Sequence, residues 1–223
     1  MSTPEFIASY WTLAGNVVPL GPPEQEASGH DLSERLPVAA AAGYSGIGLM
    51  RSDLLSIRQR YDFPTIRSML ADHGMKYLEL EFLVGWIADG DDLAESEAVF
   101  DDMLEAAENL DVRHVKVGPD MNATEWPIEH MAERFAGLCD RAAAAGTSVS
   151  LELMPWSNIT DIETAVAVVD GAGRANGGLL LDIWHIARGG ISYAEIADIP
   201  AGLVNYVEIN DADTELVGTL LED

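Results

Sequence analysis

Two patterns of hydrophobic and polar positions alternate along the chain: short apolar runs, and longer amphipathic stretches with apolar residues three or four positions apart. Short runs of this kind are typical of buried strands, and the amphipathic stretches are typical of helices. The predicted strands are Phe6–Leu13, Tyr44–Met50, Lys76–Leu83, Val112–Val117, Ser148–Met154, Leu179–Trp184 and Val204–Ile209. The predicted helices are Leu32–Ala42, Pro64–His73, Asp91–Leu110, Ile128–Ala145, Asp161–Ala172 and Tyr193–Ala197.

Strands that alternate with helices at intervals of roughly 25–40 residues indicate βα units in a parallel sheet. Glycine follows three of the predicted helices, at Gly43, Gly74 and Gly146, where a helix C-terminus favours it. The fold class is therefore α/β, and we predict a (β/α)₈ TIM barrel with seven βα units visible and the eighth missing. A doubly wound open sheet is the second interpretation. We expect residues 1–223 to form a single barrel domain that is incomplete at its C-terminus.

The charge of the chain is strongly acidic, with 38 acidic against 12 basic residues and a formal net charge of −26. Such a surface repels phosphate backbones and anionic lipids, so we expect no nucleic-acid partner and no membrane partner. The N-terminus lacks the pattern of a signal peptide, and we expect a soluble, cytoplasmic protein. The single cysteine, Cys139, lies in a helical pattern and is predicted to be a buried thiol.

Polar side chains fall on the predicted inner face of the barrel. In a barrel, alternate side chains of each strand point inward, and the outward set packs on the helices. The inward positions include these polar residues: Tyr77, Glu79, Glu81, His114, Lys116, Ser150, Glu152, Glu208 and Asn210. The carboxyl ends of the strands, where barrel active sites lie, carry Glu81, Lys116, Glu152, Asp182 and Glu208. Because burying an unpaired charge costs several kcal/mol, we predict a functional polar cluster that pairs internally or with a metal or ligand.

The last third of the chain carries the densest chemistry. Glu152 ends the fifth predicted strand, and Asp182 ends the sixth with His185 three residues later. Carboxylates with an imidazole form a hard, oxygen-rich set that suits Mn²⁺, Mg²⁺ or Co²⁺. Four tryptophans lie near strand ends, where they could form an apolar wall against a ligand or serve only in packing: Trp11, Trp86, Trp156 and Trp184.

At these residues the sequence resembles the xylose-isomerase-like TIM barrels, grouped as sugar phosphate isomerases and epimerases. The resemblance is most specific in two stretches, Leu151-Glu152-Leu153-Met154-Pro155-Trp156 and the segment from Asn176 to Gly190. The second stretch contains Asp182-Ile183-Trp184-His185 followed by Arg188-Gly189-Gly190.

The resemblance implies one divalent metal, with Mn²⁺, Mg²⁺ or Co²⁺ favoured and Zn²⁺ as an alternative. Its ligands in the family are Glu from strand five, Asp from strand six, usually His from strand seven, and Glu from strand eight. Carried over, Glu152, Asp182 and Glu208 are the metal ligands, with Glu208 in the position of the usual histidine. Glu152 and His185 are the catalytic residues; Glu152 moves a proton, and the reaction passes through a metal-stabilised enediolate. We expect the substrate to contact the residues Lys116, Arg188, Trp156 and Glu81.

The activity implied is that of an isomerase or epimerase acting on a sugar, keto-sugar or related polyol. The main alternative is a non-catalytic, degenerate barrel that binds a metabolite, which the glutamate at position 208 favours. A keto-inositol dehydratase shares the metal–enolate chemistry and is a further alternative. An apurinic endonuclease is disfavoured by the net charge of −26 and by only five histidines. By analogy with such barrels, a homodimer or homotetramer is expected.

Overall fold

A computed structural model describes residues 4–18, 21–211, 215, 217 and 218. Its strands are β1 (Ile7–Ala8), β2 (Gly46–Met50), β3 (Tyr77–Leu83), β4 (His114–Val117), β5 (Ser148–Glu152), β6 (Gly177–Asp182) and β7 (Val204–Glu208). Its helices are α1 (Tyr10–Leu13), α2 (Pro23–Glu26), α3 (Leu32–Ala41), α4 (Arg51–Arg58), α5 (Phe63–Asp72), α6 (Gly90–Leu110), α7 (Ile128–Ala144), α8 (Ile162–Ala172), α9 (Ile183–Arg188) and α10 (Tyr193–Ala197). The strand order follows the chain from β1 to β7. Seven parallel strands with helices between them confirm the predicted TIM-barrel fold class.

The first predicted strand is wrong over most of its length. Only Ile7–Ala8 is extended, and Tyr10–Leu13 forms the helix α1. A short apolar run fits either element, and here tertiary contacts decide between them. The Tyr10 ring is fully buried, and its hydroxyl donates a hydrogen bond to the carbonyl oxygen of Glu26 at 2.5 Å. The helices α2, α4 and α9 were also not predicted; α4 and α9 each follow a strand without an intervening loop.

Local capping signals explain where several helices begin. Asp31 accepts a hydrogen bond from the Ser33 amide, and the Glu34 carboxylate accepts one from the Asp31 amide, which forms a capping box at the start of α3. Ser192 and Glu195 form the same arrangement at α10. The predicted helix-ending glycines Gly43, Gly74 and Gly146 have φ angles of 90°, 70° and 77°, which confirms their left-handed conformation.

The described residues divide into two compact units. The first comprises Met1–Phe82, Asp101–Val115 and Ala145–Thr147, and the second comprises Leu83–Phe100, Lys116–Ala144 and Ser148–Asp223, each as far as it is described. In the first unit, β2 pairs in parallel with both β1 and β3, with Gly48 opposite Glu79. Gly48 leaves room for two buried carboxylates, because a Cβ there would lie 2.8 Å from Glu81 Oε1 and 3.0 Å from Glu79 Oε1. The unit also buries an ion pair, in which Arg35 Nη2 lies 2.8 Å from Asp53 Oδ2.

In the second unit, β6 pairs in parallel with both β5 and β7, and the register sets Asp182 opposite Glu208. The α7 helix packs closely on β6. A Cβ at Gly177 would lie 2.8 Å from both Cys139 Sγ and Phe135 Cε1, so the missing side chain permits this approach. Cys139 is fully buried, as predicted.

No helix among the described residues is long and apolar enough to cross a lipid bilayer. The longest, α6, carries acidic residues throughout its length. The predicted end of the domain at Asp223 lies outside the described residues.

Candidate metal centre

The end of β6 runs directly into α9, and Asp182 occupies the junction. Its Oδ1 accepts hydrogen bonds from the amide of Trp184 at 2.6 Å and from the amide of His185 at 3.3 Å. Asp182 is therefore both the last residue of the strand and the N-cap of the helix. This local structure explains the Asp-x-x-His spacing, because the first turn of α9 places the imidazole three residues beyond the carboxylate.

Three buried side chains converge at this point: Glu152 from the end of β5, Asp182, and His185. Each offers one candidate ligand atom, and these atoms all lie within 4.8 Å of one another. Nε2 of His185 lies 3.3 Å from Oε1 of Glu152. The three residues are between 6% and 8% exposed, so two carboxylates and an imidazole lie close together with little access to water.

Asn210, which follows β7, holds the same aspartate from another side. Its Nδ2 donates to Oδ1 and Oδ2 of Asp182, at 2.9 and 3.0 Å. Sequence reasoning placed Asn210 on the inner face but gave it no role. Its inward position was the available signal; the contact itself depends on the packing of β7 beside β6. The amide and the two main-chain donors together fix the orientation of the carboxylate.

Glu208 makes a different contact from those of the other predicted ligands. Its carboxylate forms an ion pair with Lys116, which is 1% exposed. The Lys116 ammonium also lies 5.6 Å from the centre of the Tyr206 ring. Among the described residues, the convergent group comprises Glu152, Asp182 and His185 without Glu208.

An aromatic and cationic patch borders His185. The rings of Trp156 and Trp184 lie 6.2 Å apart, and the Trp184 ring meets His185 edge-on at 5.0 Å. The Arg188 guanidinium lies 5.5 Å from the centre of the Trp184 ring. Trp156 is 37% exposed, so its ring is accessible to a ligand. By contrast, Trp86 is buried against Phe135 and serves in packing.

Of the other predicted inner-face residues, Ser150 lies in the second unit, and four lie in the first: Tyr77, Glu79, Glu81 and His114. Glu81 is 4% exposed, and its Oε1 accepts a hydrogen bond from the Tyr10 amide at 3.0 Å. His114 is buried, and its Nε2 lies 3.4 Å from Oε2 of Glu79. The contacts of the substrate with Glu81 and Lys116 stay predictions.

The donor set fits a hard divalent cation. Two carboxylates and one imidazole match the preferences of Mn²⁺, Mg²⁺, Co²⁺ and Zn²⁺. In addition, Nδ1 of His185 is buried and has no hydrogen-bond partner among the described residues. A buried polar atom without a partner is unfavourable by about 1–3 kcal/mol, so a bound cation or ligand at this group would remove an existing penalty.

Comparison with known proteins gives a consistent result. A family model described as xylose isomerase-like TIM barrel matches residues 36–219. The chain is 30% identical over 189 residues to a 3-dehydroshikimate dehydratase of Pseudomonas aeruginosa, covering 81% of this chain and 29% of that relative. It therefore spans less than a third of the length of that dehydratase.

Two further proteins are similar to this chain over most of its length. It is 23% identical over 202 residues to an inosose isomerase of Bacillus velezensis, covering 86% of this chain and 72% of that relative. A crystal structure of an IolI protein with a bound zinc atom has a TM-score of 0.76 and 20% identity, covering 90% of this chain and 71% of that one. The structural likeness establishes a shared fold.

Proposed function

Because this chain belongs to the family of xylose isomerase-like TIM barrels, we propose that it is a divalent-metal-dependent isomerase or epimerase of a sugar, keto-sugar or related polyol. The observation that carries the proposal is the buried convergence of Glu152, Asp182 and His185. The isomerase among the relatives and the zinc-containing IolI structure support it.

Glu152, Asp182 and His185 would hold the cation. When bound, Mn²⁺, Mg²⁺, Co²⁺ or Zn²⁺ would act as a Lewis acid toward a substrate oxygen. Asp182 is pre-organised for this task, because its hydrogen bonds from two main-chain amides and from Asn210 fix its orientation before any ligand arrives. A ligand that is already in position loses little conformational freedom on binding.

Glu152 is the proposed base, and a carboxylate oxygen of its side chain would take the proton from the carbon beside the substrate carbonyl. A neutral imidazole that holds a cation through one ring nitrogen carries its proton on the other. That second ring nitrogen of His185 would donate a hydrogen bond to a substrate oxygen. The exposed face of Trp156 would pack on the C–H face of the sugar, and Arg188 would bind a hydroxyl or anionic group beside Trp184.

A dehydration is the second candidate function, and the 30% identity to the dehydratase favours it. Removal of a proton beside a carbonyl begins both an isomerisation and the loss of a β-hydroxyl group. The two reactions differ in their products, since only dehydration forms a new carbon–carbon double bond and releases water.

The test is elemental analysis of the purified protein beside Glu152→Gln, with Glu163→Gln as the matched control on the exposed face of α8. We expect about one divalent metal ion per chain in the wild-type protein and in Glu163→Gln, and loss of the metal in Glu152→Gln. An absence of metal in all three proteins, even after loading with Mn²⁺, would contradict the proposal.

Incubation with keto-sugars and inososes in D₂O then tests the reaction. Deuterium at the carbon beside the carbonyl, detected by NMR, indicates isomerisation or epimerisation, and a new vinylic proton signal indicates dehydration. A protein that binds metal but exchanges no proton with any compound of the panel would support the non-catalytic alternative.

A further inference from the structure

Lys116 is one of only two lysines in the chain, and the two lie in opposite environments. Lys76 is 63% exposed and pairs with Glu5 at the surface. Lys116 is 1% exposed and pairs with Glu208, whose side chain is 15% exposed. An ammonium group at such a depth requires a counterion, and the structure supplies the carboxylate that stands in the position of a metal ligand.

The strand register makes this choice of partner informative. Asp182 and Glu208 are directly paired residues of β6 and β7, so the two carboxylates begin from neighbouring positions. Asp182 joins Glu152 and His185, whereas Glu208 contacts Lys116. The segment that follows β7 instead supports Asp182 through the side-chain amide of Asn210.

The energetics favour retention of this ion pair when a cation binds nearby. If a metal ion took Glu208 as a ligand, Lys116 would give up this ion pair while remaining buried. Removing one partner of an ion pair at such a depth is strongly unfavourable, because the charge that stays behind loses part of its compensation. The pair also neutralises one carboxylate, which leaves the charges of Glu152 and Asp182 to balance a divalent cation.

We propose that Lys116 is a positioning residue that holds Glu208 out of the metal coordination sphere, so that the cation is bound through Glu152, Asp182 and His185. This inference rests on the proposed function. It assigns Lys116 a role at the metal centre, and it assigns Glu208 the role of a counterion in place of the ligand role expected from the family pattern.

The test compares Mn²⁺ affinities, measured by electron paramagnetic resonance titration, for the wild type, Lys116→Met and the double variant Lys116→Met/Glu208→Gln. Removal of Lys116 alone takes this partner from the Glu208 carboxylate, which is 15% exposed, so Lys116→Met should bind Mn²⁺ about tenfold tighter or more, which corresponds to about 1.4 kcal/mol. The double variant removes both members of the pair and should bind within about twofold of the wild type, because neither charge is left without the other.

The absorption spectrum of bound Co²⁺ separates coordination from a general charge effect. The spectra of the wild type and the double variant should coincide, and the spectrum of Lys116→Met should differ because a ligand has been added. Lys76→Met is the matched control and should change neither the affinity nor the spectrum. Circular dichroism confirms that each variant is folded, and the double variant keeps the test decisive if Lys116→Met does not fold.

Two results would overturn the inference while leaving the proposed function intact: a double variant that binds Mn²⁺ at least tenfold more weakly than the wild type, or a Lys116→Met variant with unchanged affinity and spectrum. The first would make Glu208 a ligand in the native protein. An absence of Mn²⁺ and Co²⁺ binding in every protein, the wild type included, would overturn both the inference and the proposed function.

Discussion

Replacement of Gly48 by alanine tests the packing of the two buried carboxylates in the first unit. A Cβ at position 48 would lie 2.8 Å from the Tyr10 main-chain nitrogen and 2.8 Å from Glu81 Oε1, with Glu79 Oε1 at 3.0 Å. Real Cβ atoms do not approach other atoms this closely. The Tyr10 nitrogen belongs to the main chain, so the strand or α1 must shift along with the carboxylates.

Three contributions determine the expected change in the free energy of unfolding. Overpacking by one methyl group costs about 1–3 kcal/mol. Loss of the hydrogen bond from the Tyr10 amide to the Glu81 carboxylate adds about 1.5–3 kcal/mol. Alanine has less conformational freedom than glycine in the unfolded chain, and this effect stabilises the folded protein by about 0.4–1 kcal/mol. We therefore expect Gly48→Ala to lower the free energy of unfolding by about 2–5 kcal/mol, or the midpoint temperature by about 4–20 °C for a chain of this size.

The assay is urea unfolding followed by circular dichroism, with Gly137→Ala as the control. Gly137 lies within α7, and a Cβ there would have no atom within 4 Å, so the same chemical change should stabilise the protein by about 0.5–1 kcal/mol. If Gly48→Ala unfolds at the same urea concentration as the wild type, the carboxylates are not packed over Gly48 as described and the reasoning is refuted.

Three further predictions concern stability and reactivity. Arg35→Met breaks the buried ion pair with Asp53 and should lower the free energy of unfolding by about 3–5 kcal/mol. Arg174→Met breaks the exposed pair with Asp140 and should lower it by less than about 1 kcal/mol. Equal losses of the two variants in urea unfolding would contradict this prediction. Burial raises the pKa of the Cys139 thiol from 9.0 to about 12. The folded thiol therefore stays protonated at pH 8 and should react with a disulfide reagent only in urea, and its contribution should lower stability as the pH rises above 9. Trp156 has a φ of 62°, in the left-handed region, so Trp156→Gly relieves about 1 kcal/mol of backbone strain. Its free energy of unfolding should lie within about 1 kcal/mol of the wild-type value, whereas Trp86→Ala should lower the free energy of unfolding by about 3–5 kcal/mol. Calorimetry of both variants measures this difference.

The alternation of apolar runs and amphipathic stretches was sufficient to predict β2 to β7 and most of the long helices. The boundaries agree within a few residues, because a strand buried on both faces and a helix with one apolar face leave distinct patterns. The prediction failed at α1, α2, α4 and α9; α4 and α9 follow their strands immediately, and one residue separates α1 from β1. Where a helix follows a strand without polar loop residues between them, the pattern of apolar positions does not show where the strand ends.

The parts of the candidate site that are close together in the sequence were the ones that could be predicted. Asp182 and His185 lie three residues apart at the end of one predicted strand, which was enough to group them, although the helix start that brings them together was not predicted. Glu152 could be added because the carboxyl ends of neighbouring parallel strands lie at one edge of the sheet. The Lys116–Glu208 pair spans 92 residues. The sequence indicates that both side chains point inward, but the choice between a metal and an ammonium group depends on three-dimensional distances.

The dual position of Asp182, at the end of a strand and at the cap of α9, has a consequence for evolution. Asparagine caps a helix about as well as aspartate does. A single-base change from aspartate to asparagine would therefore remove a proposed metal ligand while keeping hydrogen bonds to the Trp184 and His185 amides available. Selection for folding would oppose that change only through the contact from Asn210, which donates to both carboxylate oxygens. Under the proposed function, a lineage of such chains can lose the reaction and keep the fold, and selection on the reaction is what maintains the carboxylate.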